Sequence, residues 1–151
     1  MRISVIGGST VDDETYEEAR ELGRLLAERG HTVVCGGYGG VMEAVCRGAN
    51  EEGGTTVGVL SGDDPDEANN YVDVPVVTNM GHARNALVVL NGDAVIAVDG
   101  AYGTLSEIAH ALVLEKTVVG LDTHDIEGVE SVGTPQEAVE RVEDVGSGKT
   151  E

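Results

Sequence analysis

The sequence predicts an α/β protein with a doubly wound, mainly parallel sheet and helices on both of its faces. Three observations carry this expectation. Short β-type runs alternate with helical stretches along the chain, the pattern of successive βαβ units. The runs are apolar almost throughout instead of alternating with polar residues, as strands covered on both faces must be. Glycine-rich turns stand where strands hand over to helices, at Gly7-Gly8-Ser9-Thr10, Gly36-Gly37-Tyr38-Gly39-Gly40 and Asp99-Gly100-Ala101-Tyr102-Gly103-Thr104.

Arg2 to Gly7 reads as a first buried strand. Thr10 or Asp12 can cap a helix over about Asp13 to Arg29, because either side chain accepts from an orphan amide of the first turn. Gly30 closes that helix. Thr32 to Cys35 is a second strand, leading through the glycine loop into a helix over Val41 to Glu52 that Gly53-Gly54 ends. Thr55 to Leu60 is a third strand. Gly62 to Asn70 mixes Gly, Asp, Pro and Asn and reads as turns, after which Tyr71 to Val77 returns to β-type residues. Next come a helix from about His82 to Leu90, a strand over Asp93 to Val98, a helix over Gly103 to Leu114 and a strand over Thr117 to Leu121. Thr134, with Pro135 in the first turn, starts a last helix running to Val142. No linker or repeat interrupts the 151 residues, so residues 1–145 are expected to form one domain and 146–151 a disordered tail.

Charge narrows the partners. Lys and Arg total 9 against 28 Asp and Glu, a formal net charge of −19 that repels nucleic acid and anionic membrane. Acidity this uniform, with Lys116 and Lys149 the only lysines, is expected of a protein from a halophilic cytoplasm. The N-terminus enters a strand directly, without the apolar region of a signal peptide, and no run approaches membrane-spanning length. Cys35 and Cys46 lack metal-finger or CxxC spacing and read as reduced, packed thiols of a cytoplasmic protein.

The glycine loops carry the chemistry. Glycine lets the backbone approach an anion closely, and the unpaired amides and positive dipole end of a following helix attract it without a lysine. In a doubly wound sheet such loops meet beyond the carboxyl ends of the strands, where strand order reverses. A phosphorylated small molecule is therefore the expected partner. Gly7, Gly8 and Ser9, Gly36, Gly37, Gly39 and Gly40, and Gly100, Tyr102, Gly103 and Thr104 are the candidate phosphate- or nucleotide-binding residues. The dinucleotide fingerprint G-x-G-x-x-G is absent after the first strand, which argues against an ordinary nicotinamide dehydrogenase.

Three segments, Gly36 to Val45, Met80-Gly81-His82-Ala83-Arg84-Asn85, and Gly103-Thr104-Leu105-Ser106-Glu107-Ile108-Ala109, resemble the LOG family of Rossmann-type proteins. Within it they are most similar to the branch of molybdenum cofactor carrier proteins and their DprA-related relatives. LOG enzymes hydrolyse cytokinin riboside 5′-monophosphates to base and ribose 5-phosphate, with a phosphate-binding motif P-G-G-x-G-T-x-x-E that ends in the catalytic glutamate. The resemblance implies that Glu107 is that glutamate and that Arg84 is the second catalytic residue. Cleaving an N-glycosidic bond builds positive charge on the ribose, so a carboxylate at Glu107 can stabilise an oxocarbenium-like state or orient water. The fork of Arg84 can hold phosphate or position Glu107. The resemblance also implies a homodimer or higher homo-oligomer whose sites both subunits complete. Apolar residues on more than one face of Ile108 to Leu114 agree with that.

Two positions depart from the enzymes. Asp99-Gly100-Ala101 replaces Pro-Gly-Gly, which puts a carboxylate where it is expected to repel phosphate, and Asn85 stands where the enzymes typically have lysine. Two functions are therefore expected: a nucleoside 5′-monophosphate phosphoribohydrolase needing no cofactor, or a non-catalytic carrier of molybdenum cofactor or another phosphorylated ligand. A DNA-processing role like that of DprA is opposed by the charge. Tyr38 and Tyr102 are candidates to stack on a base, His82 to touch a ligand, and Glu43 to keep phosphate away from the first glycine loop. No metal site is expected. Glu107 and His110 share a helix face, but the second Glu-x-x-His of a di-iron site is missing.

Overall fold

A computed structural model describes residues 1–146. Seven strands form one sheet in the order β4-β3-β2-β1-β5-β6-β7, all parallel to their neighbours. The strands are β1 (Arg2–Gly7), β2 (Thr32–Cys35), β3 (Thr56–Leu60), β4 (Val74–Val77), β5 (Ala94–Val98), β6 (Val118–Leu121) and β7 (Val129–Ser131). The helices are α1 (Asp13–Glu28), α2 (Val41–Glu51), α3 (Asn85–Leu90), α4 (Tyr102–Val113) and α5 (Pro135–Gly146). The expected tail begins at Gly146, which is the last residue of α5; the rest of it lies outside the described residues.

Two apolar layers sandwich the sheet. On one face Ile3, Val5, Val33, Ile96 and Val119 meet α1, α2 and α5 through Leu22, Leu26, Val45 and Val139. On the other, Ile6, Val34, Val59, Val95 and Ala97 meet α3 and α4 through Val88, Val89, Ile108 and Ala111. Glycines set the closest approach of α1 and α2: a Cβ at Gly23 would collide with the Val45 carbonyl, and one at Gly48 with that of Arg20. Of the two candidate caps for α1, Asp12 serves, accepting from the Thr15 amide at 2.8 Å.

Several expected boundaries move. Between β3 and β4 the crossover contains only a 3-10 turn at Pro65–Glu67. β4 begins at Val74 because Asp73, one residue earlier, turns its carboxylate onto the Thr56 amide at 2.9 Å. The helix expected from His82 divides into a 3-10 turn at Gly81–Arg84 and α3 proper. Strand β7, which the sequence did not predict, pairs on β6 at the far edge. Among the described residues no helix is long and apolar enough to cross a membrane.

The α3–α4 face is under-covered, since two helices serve it where three serve the other. Val74 and Val76 lie in register with Val57 and Val59, whose side chains belong to this layer, and so point to the same side. Val74 and Val76 are 46% and 42% exposed, and Leu90 of α3 and Val113 of α4 are exposed as well.

Candidate functional site

The strand order reverses between β1 and β5, and the loops leaving β1, β2 and β5 gather at that point. A cavity of about 360 Å³ opens there. Its walls include Gly7, Gly8 and Ser9 after β1, Gly36 and Tyr38 after β2, Arg84 and Asn85 ahead of α3, and Gly103, Thr104 and Glu107 on α4.

The start of α4 offers donors. Ala101 caps it without a side-chain hydrogen bond, and the first amide returned to the helix is that of Leu105, on the Ala101 carbonyl at 3.1 Å. The amides of the first turn therefore lack intrahelical acceptors. Gly103 leaves the approach open, since a Cβ there would find nothing nearer than Asn85 Nδ2 at 4.0 Å. Gly100 has a φ of +131° and sits where a Cβ would strike the Thr104 side chain, so glycine is required at that bend.

Arg84 is 8% exposed and clamped from several sides. Its Nε donates to the Val59 carbonyl at 2.9 Å, Nη1 to Asn85 Oδ1 and Nη2 to the Gly36 carbonyl at 3.4 Å. The guanidinium carbon lies 5.6 Å from the centroid of the Tyr38 ring. That ring is itself fixed, because the Ser61 amide donates to its hydroxyl at 2.9 Å. An arginine carries five N–H groups and three are used, which leaves two for a ligand. A Cβ at Gly36 would stand 2.7 Å from both Arg84 Nη2 and Met42 Sδ, so any larger residue there would push the guanidinium or the thioether aside.

Glu107, one helical turn beyond Thr104, is 7% exposed. Burial pushes its carboxyl up to about 7, against the pull of the Arg84 guanidinium in the opposite direction. A carboxyl that exchanges its proton near neutral pH, beside a fixed cation and a helix N-terminus, can act as acid or base on a bound anion.

Of the predicted residues, the fold brings Gly7, Gly8, Ser9, Gly36, Arg84, Gly103, Thr104 and Glu107 onto one cavity. Gly37, Gly39, Gly40, Gly100 and Tyr102 are not on its wall. Gly37 has a φ of +82° and packs on Leu60, while a Cβ at Gly40 would collide with the Gly8 carbonyl. The β1 and β2 loops thus brace each other, and the Val41 amide at the start of α2 donates to the Gly8 carbonyl at 3.0 Å. Tyr102 is 89% exposed. Glu43 accepts from the Tyr16 hydroxyl at 2.7 Å, away from the cavity, and His110 is exposed on α4. His82 does line the cavity, as do Asn85, Ser61 and Met42, which sequence reasoning did not select. Cys35 and Cys46 are buried free thiols with their sulfurs 3.5 Å apart.

Asp99, expected to repel phosphate, is not on the cavity wall, although its Oδ2 lies 3.3 Å from where a Cβ on Gly8 would stand. Asp99 instead lines a separate acidic hollow of about 140 Å³ with Asp12, Glu14, Glu18 and Asp122. Among the described residues, no group of three or more His, Cys, Asp or Glu side chains is placed to hold a metal ion.

Fold and cavity together define a Rossmann-like α/β protein with a cavity at its topological switch point. The chain belongs to the SLOG cluster4 family, whose model matches residues 1–147. An uncharacterised protein of Archaeoglobus fulgidus is 47% identical over 140 residues, which cover 92% of each chain. The cytokinin riboside 5′-monophosphate phosphoribohydrolase of Mycobacterium tuberculosis is 36% identical over 119 residues, 74% of this chain and 59% of the enzyme. The chain therefore spans less than two thirds of that enzyme's length. Among solved structures, the molybdenum cofactor binding protein of Rippkaea orientalis superposes with a TM-score of 0.90 at 32% identity, over 95% of this chain and 96% of that one. The molybdenum cofactor carrier protein of Chlamydomonas reinhardtii gives 0.88 at 33%, over 97% and 98%. DNA processing protein A of Streptococcus pneumoniae shares the fold, with a TM-score of 0.75 at 16% identity over 92% of this chain and 60% of its own.

Proposed function

We propose that this chain binds a nucleoside 5′-monophosphate in the switch-point cavity and hydrolyses its N-glycosidic bond to free base and ribose 5-phosphate. The observation that carries this reading is the placement of a buried carboxyl, Glu107, held near neutrality on the same cavity as Arg84 and the start of α4. The phosphate would take the first-turn amides of α4 and the two unclaimed N–H groups of Arg84. Its ribose would then lie along the first turn toward Glu107. As the bond from C1′ to the base nitrogen breaks, the base leaves with the electron pair, and water adds to C1′. Ionised Glu107 stabilises the charge on the sugar and accepts the water's proton, which the departing base then takes up, restoring the carboxylate. No cofactor enters this chemistry.

The near full-length likeness to the molybdenum cofactor proteins favours a second reading, a carrier that holds that phosphorylated pterin without cleaving it. Incubation with AMP and related monophosphates, followed by chromatography for free base, separates the two. Ligand binding without base release would overturn the enzyme reading, and release surviving both Arg84→Ala and Glu107→Ala would overturn the site.

A homodimer belongs to the same proposal. The under-covered α3–α4 face, with Val74, Val76, Leu90 and Val113 exposed, supports pairing with a second copy.

A further inference from the structure

We propose that Asn85 is a ligand-binding residue in its own right: its side-chain amide donates to the anionic group of the ligand while its carbonyl aligns Arg84. The proposal rests on the phosphate site described above and assigns one of its donors. Asn85 is 3% exposed and begins α3 directly after Arg84. Its Oδ1 accepts from Arg84 Nη1. Arginine has no acceptor, so this contact admits only the side-chain oxygen on that side and fixes which way the amide turns. Nδ2 therefore faces the opposite direction, 4.0 Å from the point where a Cβ on Gly103 would stand.

That is the open side of the phosphate loop. Every fully enclosed side-chain nitrogen and oxygen among the described residues has a hydrogen-bond partner. Nδ2 meets no protein acceptor among those residues, so it must be reached from outside, and the wall it belongs to is that of the cavity. A buried amide with one end committed and the other open to a cavity is a donor awaiting an acceptor. Three kinds of donor then belong to residues on one cavity: the first-turn amides of α4, the two unclaimed N–H groups of Arg84, and Asn85 Nδ2.

The residue type matters. A lysine in place of Asn85, as in the enzymes this chain resembles, has no acceptor to offer Arg84 and would set a like charge beside it. Asparagine keeps the guanidinium immobile and leaves the site with a single full positive charge. The anion is consequently recognised by directed hydrogen bonds more than by net charge.

The test uses AMP and inorganic phosphate as probes, with affinities measured by titration calorimetry at pH 5.5 and 7.5 and constant salt. Asn85→Asp keeps the shape and the acceptor for Arg84 but turns the donor into an anionic oxygen. Its affinity for AMP at pH 7.5 is expected to fall about tenfold to a hundredfold, the range for a hydrogen bond to a charged group. Between pH 5.5 and 7.5 the phosphate, with its second pKa near 6, becomes a dianion while Glu107 on the same wall gives up its proton, so the two changes oppose each other in the wild-type protein. Set against the wild-type slope, N85D is expected to lose further affinity as the pH rises, a change that a purely structural role for Asn85 would not produce. If N85D binds AMP within about twofold of wild type and with the same slope, the assignment of Asn85 is overturned while the phosphate site stands. If the wild-type protein binds neither probe, the phosphate site itself falls and this proposal with it. Should N85D fail to fold, Asn85→Ser decides: too short to bridge Arg84 and the anion, it must also lose more than about twofold, or the proposal is overturned.

Discussion

Replacing Glu107 with glutamine should stabilise the protein, and by an amount that depends on pH. Burial raises the Glu107 carboxyl from 4.5 to about 7. At 1.36 kcal/mol per pH unit, that gap corresponds to about 3 kcal/mol between the protonation states. The direction follows from proton linkage. Below pH 4.5 the group is protonated in both the folded and the unfolded chain and costs nothing. Between pH 4.5 and 7 the unfolded chain gives up its proton first, so stability falls as pH rises. Above 7 both states are ionised and the full loss of about 3 kcal/mol persists. Glu107→Gln is close to isosteric with the protonated acid and carries no such penalty. The variant should therefore match wild type at pH 4 and exceed it by about 3 kcal/mol at pH 8, a rise of roughly 6–12 °C in unfolding midpoint for a chain of this size. Denaturant unfolding of both proteins at fixed salt measures this, and the other carboxylates cancel in the difference. An advantage for E107Q that is the same at pH 4 and pH 8 would show that the Glu107 carboxyl is not desolvated in the folded protein. The stabilised variant should release no base from AMP, the trade expected where a site holds a group against its solvation preference.

Arg84→Lys keeps a positive charge but cannot reach the Val59 and Gly36 carbonyls and Asn85 together, so AMP binding measured by calorimetry should weaken about tenfold or more. Leu90→Glu with Val113→Glu should convert a dimer to monomer in light scattering while leaving the circular dichroism of the fold intact; an unchanged mass would remove the α3–α4 face as the interface. With a net charge of −19, the unfolding midpoint should climb as KCl rises from about 0.1 M to 2 M, because the Debye length shrinks from about 10 Å to under 3 Å and self-repulsion fades. A flat response would speak against adaptation to high salt.

The strands of the central sheet were legible because each is an apolar run bounded by glycine or polar turn residues, and β2 begins and ends where the pattern says. β7 was not, since Val129–Ser131 is three residues long, exposed on two of them, and held by pairing with β6, by the packing of Val129 on the core and by the Glu130–Arg141 ion pair, none of which local composition announces. Helix α3 was read one turn too early because Gly81, with a φ of +60°, tightens the chain into a 3-10 turn that composition does not announce. At the site, Arg84 and Glu107 could be picked out by their motif. The places of Ser61 and Met42 on the cavity wall could not, because they come from elements far from Arg84 in sequence, and the turn of the Asn85 amide toward its neighbour Arg84 depends on how the 3-10 turn hands over to α3. Tyr102 differs in another way: its place in the glycine loop reads as that of a pocket residue, and at the start of α4 its ring is exposed and off the cavity wall.

The turn at Asp99 bears on how such proteins are recognised. Its φ of +53° is out of reach for proline, whose ring holds φ near −65°. A chain that opens the motif with proline must enter this loop along a different backbone path. A signature that insists on the proline would accordingly pass over this chain, which keeps Gly100, Gly103, Thr104 and Glu107 of that motif.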